Sequence, residues 1–451
     1  MLRGKTDISR RDFIRKSSVS AAALGAVAMA GPLSALASPA EKKVRVAIVG
    51  TGIRGSTTWG MNLLRDVGDY VEMVGLCDIN PKRVEVANRW MGGGIPTFTD
   101  FDKMVRQVRP DKVIVTTMDS KHAHYVCRAM ELGCDAISEK PLCTEAAQAQ
   151  AIIDTNKRTG RKLDVTFNAR HGLGTMKAKE LLLAGEIGDL YSVDYAEFLD
   201  LDHGASYFRR WHGLKQCSGT LFCHKASHHF DELNWWIASD PVEVVASGRL
   251  NKYGRMGPFR NVNCRKCNYK DKCELYWDIT TNKNYMELYV GCESEDGYYR
   301  DGCLYRNAIN IPDTYTAQIK YENNTLVTYS LNATVAHEGQ IIVFNGSKGR
   351  IELRNYDRQP WKVPHDSELR LTRNFKGSQI VPIERQEGDF FEHGGADQRI
   401  KYMLFKPGTE DPLGLHAGMR AGILSSAIGI AGYTSIETGR RVRIDELVDL
   451  G

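Results

Sequence analysis

Apolar residues in this chain occur first in short unbroken runs and later in alternation, and that change divides it into two architectures. Lys43 to Val49, within "KVRVAIVG", is a short apolar run, "YVEMVGLCD" ends at Asp78, and "DKVIVTTM" and "CDAISEKP" follow. Each run is too short for a helix and apolar on both faces, as parallel strands covered on both sides require. Amphipathic stretches lie between them. "NPKRVEVANRWM" has Asn80 as cap and Pro81 at the first helical position, Phe101 to Val108 is a second helix, and His122 to Leu132 a third, closed by Gly133. Strands alternating with helices predict a parallel sheet of Rossmann type over residues 43–165.

From residue 166 the period changes. "MKAKELLLAGEIG" reads as a helix with a glycine stop and "DLYSVDYAEFLDL" alternates as a strand. "DTYTAQIKYENNTLVTYSLNA" reads as a hairpin turning at Asn323-Asn324, and "GQIIVFNGSKGRIELR" as another around Gly346 to Gly349. A late helix from about Leu415 to Thr438 is rich in small residues and should pack closely. The expectation is an α/β chain: a Rossmann domain, then an α+β domain over 166–451 with a large, mostly antiparallel sheet and an insertion at about 251–310 rich in Cys, Tyr, Asn and Gly.

Charge changes the picture only at the N-terminus. The formal net charge is +5, and residues 1–37 hold six basic residues against two acidic ones, a local +4 that leaves +1 for the rest. A near-neutral body gives no basis for a nucleic-acid or membrane partner. Ser9-Arg10-Arg11-Asp12-Phe13-Ile14, the Ala-rich run from Val19 to Ala30 and Ala35-Leu36-Ala37 together resemble a twin-arginine (Tat) export signal over residues 1–37. The expectation is a periplasmic protein exported folded, with its cofactor already held.

Gly50-Thr51-Gly52-Ile53-Arg54-Gly55 follows the first strand and opens a helix, the setting in which G-x-G-x-x-G cradles a pyrophosphate against a helix N-terminus. Asp78 closes the second strand, where a carboxylate accepts from the adenosine ribose and repels a 2′-phosphate. The cofactor expected is NAD rather than NADP.

With these motifs in place, the sequence resembles the Gfo/Idh/MocA superfamily of oxidoreductases over nearly the whole chain after the leader. "VIVTTMDSKHAHYVCRAMELGCDAISEKPL" looks like its fourth strand through its Glu-Lys-Pro motif, with Thr117, His122, Glu139 and Lys140 in cofactor-contacting positions. "TFNARHGLGTMKAKELLLAGEIGDLYSV" resembles the entry to its second domain, with Asn168 and Arg170 matched. "SGTLFCHKASHHFDELNWW", aligned on Asp231, places the family's histidine at His228 and puts His224 where the family commonly has an aspartate. "EHGGADQ" resembles a segment bordering the substrate pocket, with His393 and Asp397 as candidates for sugar hydroxyls. The resemblance implies a homo-oligomer and an NAD-dependent dehydrogenase acting on a sugar or glycoside ring hydroxyl, C3 being a candidate carbon. It equally implies the alternative of a glycoside hydrolase that oxidises, eliminates, hydrates and reduces; a sugar-binding protein without catalysis is the third reading.

Lys140, just past a parallel strand, can bind a hydroxyl or polarise a carbonyl there. His224 and His228, four apart, should share one helix face, with Lys225 nearby. His228 is cast as general base or acid, with Lys140 and Lys225 orienting the hydroxyl, because imidazole titrates near neutrality. A structural role, or a zinc pair, are the other readings of these histidines.

Of 11 cysteines, five crowd the insertion: Cys264, Cys267, Cys273, Cys292 and Cys303. The C-x2-C spacing suggests a structural zinc on Cys264, Cys267, Cys273 and Cys303, with disulfides or an iron–sulfur cluster as alternatives.

Overall fold

The structure is a computed structural model and describes residues 42–384 and 392–450; the leader lies outside them. Six parallel strands form the first sheet: β1 (Val44–Val49), β2 (Val71–Cys77), β3 (Thr97–Phe98), β4 (Lys112–Val115), β5 (Asp135–Ser138) and β6 (Leu163–Val165), in the order β3-β2-β1-β4-β5-β6. The unbroken apolar runs follow from burial on both faces. Val46 and Ile48 of β1 point into one core with Trp59, Leu63, Ile114 and Ile137, while Ala47 and Val49 point into the other with Val113, Val115 and Ala136. The order reverses between β1 and β4, the place where an open parallel sheet leaves a crevice at its carboxyl edge.

The second sheet has nine strands: β7 (Leu190–Asp200), β8 (Pro241–Arg249), β9 (Thr314–Tyr321), β10 (Leu326–Val335), β11 (Glu338–Gly346), β12 (Gly349–Arg358), β13 (Ser367–Arg373), β14 (Gly377–Val381) and β15 (Val442–Arg443), in the order β14-β13-β12-β11-β7-β10-β9-β8-β15. All pairs are antiparallel except β7 with β10. One face is covered, which is why β9 alternates: Tyr315, Ala317, Ile319 and Tyr321 are buried and the residues between them are not. Both hairpins turn where the pattern put them, with Asn324 at φ 66° and Gly346 paired to Gly349.

The helices Ser227–Ile237 and Met419–Thr438 share the main core with this sheet. At Gly429 a Cβ would stand 2.8 Å from the Phe222 carbonyl oxygen, so the small residues of the late helix do serve close packing. That helix begins at Met419, later than expected, because the preceding residues pair with β6 instead: Val165 N donates to Ala417 O at 2.8 Å and Asp164 bridges to Gly418. The chain also returns to the first sheet. Helix Ala396–Phe405 sets Ile400 and Phe405 into the core behind β1, and its buried Lys401 meets Asp66 at 2.8 Å.

The insertion consists of short turns and two short helices, Lys283–Leu288 and Glu293–Asp296. It builds a small core of its own against the first domain, where Leu288, Tyr289 and Cys292 bury with Val86 of the helix Pro81–Trp90. This places it over the carboxyl edge of β1 and β2.

Candidate active site

Gly50, at φ 91°, has no room for a side chain: a Cβ would lie 2.7 Å from the backbone of Thr116 and Thr117. At Gly55 it would lie 2.1 Å from Gly50 O. The turn is thus packed onto the loop after β4, leaving an open cradle at the start of the π-wound helix Arg54–Met61, which continues as Asn62–Val67. Asp78 stands beside it. Its Oδ2 accepts from Thr51 N (2.7 Å) and Thr51 Oγ1 (3.1 Å), and its Oδ1 from Asn80 N (2.9 Å). A glycine cradle with a flanking carboxylate fits a dinucleotide without a 2′-phosphate.

The cradle opens into one cleft of about 1650 Å³ lined by Thr117, His122, Lys140, His224, Lys225 and His228, among others. Residues far apart in sequence are held there by a chain of polar contacts. Glu139 Oε1 accepts from Arg54 Nε (2.6 Å) and Trp59 Nε1 (2.7 Å); burial works to raise its carboxyl, but Arg54 and these bonds outweigh it and hold it below the ordinary range. Arg54 forks onto Asp397 (3.0 Å to each oxygen), and Asp397 accepts from Asn168 Nδ2 at 2.8 Å. His122 Nδ1 lies 2.7 Å from Pro141 O and its Nε2 3.1 Å from Thr117 O, tying the loop after β4 to the Glu139-Lys140-Pro141 segment.

In front of this network, Lys140 Nζ donates to His224 O at 2.8 Å. Burial brings its ammonium down to about 8, against the pull of Asp119 and Glu139. His224 Nδ1 is 2.6 Å from Asp119 Oδ2. His228 is half-buried, its Nδ1 lies inside the protein without a hydrogen-bond partner, and desolvation together with Lys140 and Lys225 keeps it well below the usual imidazole value, so it is neutral. Lys225 Nζ pairs with Glu197 at 3.0 Å. Farther along the cleft, His203 bridges Glu338 (2.6 Å) and the Tyr207 hydroxyl (3.0 Å). The arrangement offers a neutral base, a cation of lowered basicity and several hydroxyl-binding groups in the same cleft as the cradle.

Two family models match the chain: "Oxidoreductase family, NAD-binding Rossmann fold" over residues 44–167, and "Oxidoreductase family, C-terminal alpha/beta domain" over residues 179–444. The chain belongs to the Gfo/Idh/MocA oxidoreductase family. It is 33% identical over 411 residues to YteT of Bacillus subtilis (strain 168), covering 86% of this chain and 95% of that one. It is 29% identical over 207 residues to glycosyl hydrolase family 109 protein 1 of Akkermansia muciniphila, 43% of this chain and 42% of the relative. Among solved structures, the WlbA dehydrogenase of Bordetella pertussis, in complex with NADH and UDP-GlcNAcA, shares the fold at TM-score 0.61 and 19% identity, covering 89% of this chain and 99% of that one.

Within this Gfo/Idh/MocA enzyme, several expected residues take other positions. His224 and His228 do not share one continuous helix: His224 ends the short helix Leu221–His224 and His228 lies in the next, Ser227–Ile237, with Lys225 and Ala226 between. Both still reach the cleft. Arg170 and Asp231 were expected to bind substrate, but they bind each other, Nε and Nη2 to the two carboxylate oxygens at 2.5 and 2.6 Å, buried and away from the cleft lining. Asp397 turns to Arg54 rather than to the cleft. The side chain of His393 lies outside the described residues.

The zinc expected on Cys264, Cys267, Cys273 and Cys303 is not supported. Among the described residues no group of three or more His, Cys, Asp or Glu could hold a metal ion, and all eleven cysteines are free thiols, so the disulfide alternative is absent too. The loop is fastened by other means: buried Asp301 accepts from Arg265 Nε at 2.9 Å, Arg265 also meets Glu293 at 2.6 Å, and Phe259 packs on Tyr269 and Tyr305.

Asp119, Glu197 and Tyr289, like His203, Tyr207 and Glu338 farther along the cleft, escaped sequence reasoning. Asp119 stood in plain view between Thr117 and His122, Glu197 lay in the middle of an alternating strand, and Tyr289 belonged to an insertion with no legible anchor. Only Asp119 carried a signal, a carboxylate in the loop after a central parallel strand.

Proposed function

We propose that this enzyme oxidises a ring hydroxyl of a sugar or glycoside, with NAD as the hydride partner. The observation that carries the reading is that Lys140 and His228, from different domains, line the same cleft as the glycine cradle. NAD+, when bound, supplies the acceptor for the hydride leaving the ring carbon. Gly50, Gly52 and Gly55 with the helix start would hold its pyrophosphate, and Asp78 its ribose. His228, neutral and lining the cleft, takes the hydroxyl proton. The Lys140 ammonium stabilises negative charge growing on the hydroxyl oxygen. Asp119 orients His224 and so fixes the carbonyl on which Lys140 rests. Glu338, His203 and the Lys225–Glu197 pair give the cleft hydroxyl-binding groups suited to a polyol. We also propose export through the twin-arginine leader with the cofactor bound and kept through turnover, because no dinucleotide pool exists outside the cytoplasm.

The similarity to the family 109 glycosyl hydrolase favours a second reading, in which the same oxidation is the first half of a redox-neutral hydrolysis. Mass spectrometry of products across a panel of glycosides tests both. A product two hydrogens lighter, with reduced nicotinamide, supports the dehydrogenase; a free sugar with no net redox change supports the hydrolase; an unchanged panel contradicts both.

A further inference from the structure

The insertion does more than rest on the first domain, and its contacts fall on the dinucleotide cradle. Tyr289, a buried residue of the insertion, accepts at its hydroxyl from Ile53 N at 2.8 Å, a donor at the helix start. Asn80, the residue that caps the helix Pro81–Trp90, donates through Nδ2 to Cys292 O at 2.9 Å. The third contact joins charges. Arg83, five residues beyond Asp78, places Nη1 3.3 Å from Asp78 Oδ1 and Nη2 2.6 Å from Asp296 Oδ2. Arg83 is buried, its Nε has no hydrogen-bond partner, and the Asp296 side chain is only 15% exposed. All three residues line the cleft.

This arrangement raises a question of specificity that Asp78 alone does not answer. An arginine near the ribose end of a Rossmann cradle is the usual means of accepting a 2′-phosphate, since a guanidinium offers a forked, charge-assisted match to phosphate oxygens. Arg83 is such an arginine by position. Here two carboxylates share it, so the ribose end carries a net charge of −1, and its outer nitrogen is already bonded to the insertion. A 2′-phosphate would have to displace Asp296 from Arg83 and then sit between two carboxylates.

We propose that Asp296, contributed by the insertion, is a determinant of cofactor specificity: it occupies Arg83 and thereby excludes NADP. The inference rests on the NAD reading above and adds a residue from a segment outside the Rossmann domain. Without Asp296, the ribose end would be neutral and Arg83 would keep a free donor pair facing the cleft. Arg83 would then be open to a 2′-phosphate, as an arginine at the ribose end of a dinucleotide fold can be, and the preference set by Asp78 would weaken.

The test is equilibrium dialysis of the full-length protein, refolded after denaturation has released any resident dinucleotide, against equimolar NAD+ and NADP+, with chromatography of the dinucleotides retained in excess. Wild type should retain NAD+. Asp296→Asn, which keeps shape and removes charge, should raise the retained NADP+ share about 10-fold or more, the gain expected of a charge-assisted phosphate contact. The double variant R83Q/D296N should lose that gain, because the gain belongs to Arg83. An Asp296→Asn protein with an unchanged NADP+ share, whether or not it still holds NAD+, overturns the proposal, as does a gain that survives in the double variant. Wild type retaining neither dinucleotide would instead contradict the NAD reading itself, and this inference would fall with it.

Discussion

Asp119 Oδ2 lies 2.6 Å from His224 Nδ1, joining the loop after a central strand of the first sheet to the turn that carries the second domain's histidines. At position 224 this chain has an imidazole where the family commonly has an aspartate, and a carboxylate reaches it from another element. The pair is buried, and His224 presents its carbonyl to Lys140 at 2.8 Å. Asp119 is therefore a positioning residue. Asp119→Asn should lower kcat on the order of 10- to 100-fold, with KM much less affected, since misplacing a reacting group costs rate more than affinity. Asp119→Glu should recover part of the loss. A variant with wild-type kcat would remove Asp119 from the account.

Lys140 gives the pH dependence. Its value is lowered to about 8 by burial, so the ammonium is present below that pH and lost above it. If the ammonium stabilises the developing charge, kcat/KM falls as pH rises through about 8. Lys140→Met should lower turnover by about 100-fold or more and leave a residual rate without that alkaline limb. An identical limb in the methionine variant would assign it to another group. His228→Ala should reduce turnover to a similar degree while the cofactor still binds.

The buried Arg170–Asp231 pair predicts a stability effect and not a specificity effect. Removing either partner leaves an uncompensated charge beneath the second sheet, at about 3–5 kcal/mol. Arg170→Met and Asp231→Leu should each lower the denaturation midpoint strongly, and the double variant should be less destabilised than the sum of the two. Single variants with unchanged melting but altered substrate preference would restore the reading of these residues as substrate ligands.

What the sequence revealed and what it hid divide along physical lines. The Rossmann half was legible because its signals are local: unbroken apolar runs, Asn80-Pro81 at a helix start, and a glycine turn closed by Asp78. The second sheet was legible as alternation, but the parallel pairing of β7 with β10 was not, since pairing depends on tertiary contacts. His224 and His228 reached the cleft as expected, although the helix that was to present them is broken. Arg170 and Asp231 were misread because a buried ion pair and two binding residues look alike until their separation is known. The insertion was the least legible part. Its cysteines suggested a metal, whereas its packing rests on Arg265, Asp301 and a small aromatic core.

Retention of the cofactor is open to direct assay. Purified protein, extensively dialysed and then denatured, should release close to one nicotinamide dinucleotide per chain on chromatography. Empty protein that works only with added dinucleotide would contradict a cofactor held through turnover.

The most direct test of the central claim is a single-turnover experiment. Protein loaded with NAD+ is mixed with an excess of each glycoside in a panel, and the absorbance of reduced nicotinamide is followed in wild type and Lys140→Met. The account predicts, for at least one glycoside, a rapid rise in wild type that is slowed about 100-fold or more in the variant. No rise with any glycoside, or equal rates in the two proteins, would contradict hydride transfer from a sugar at this site.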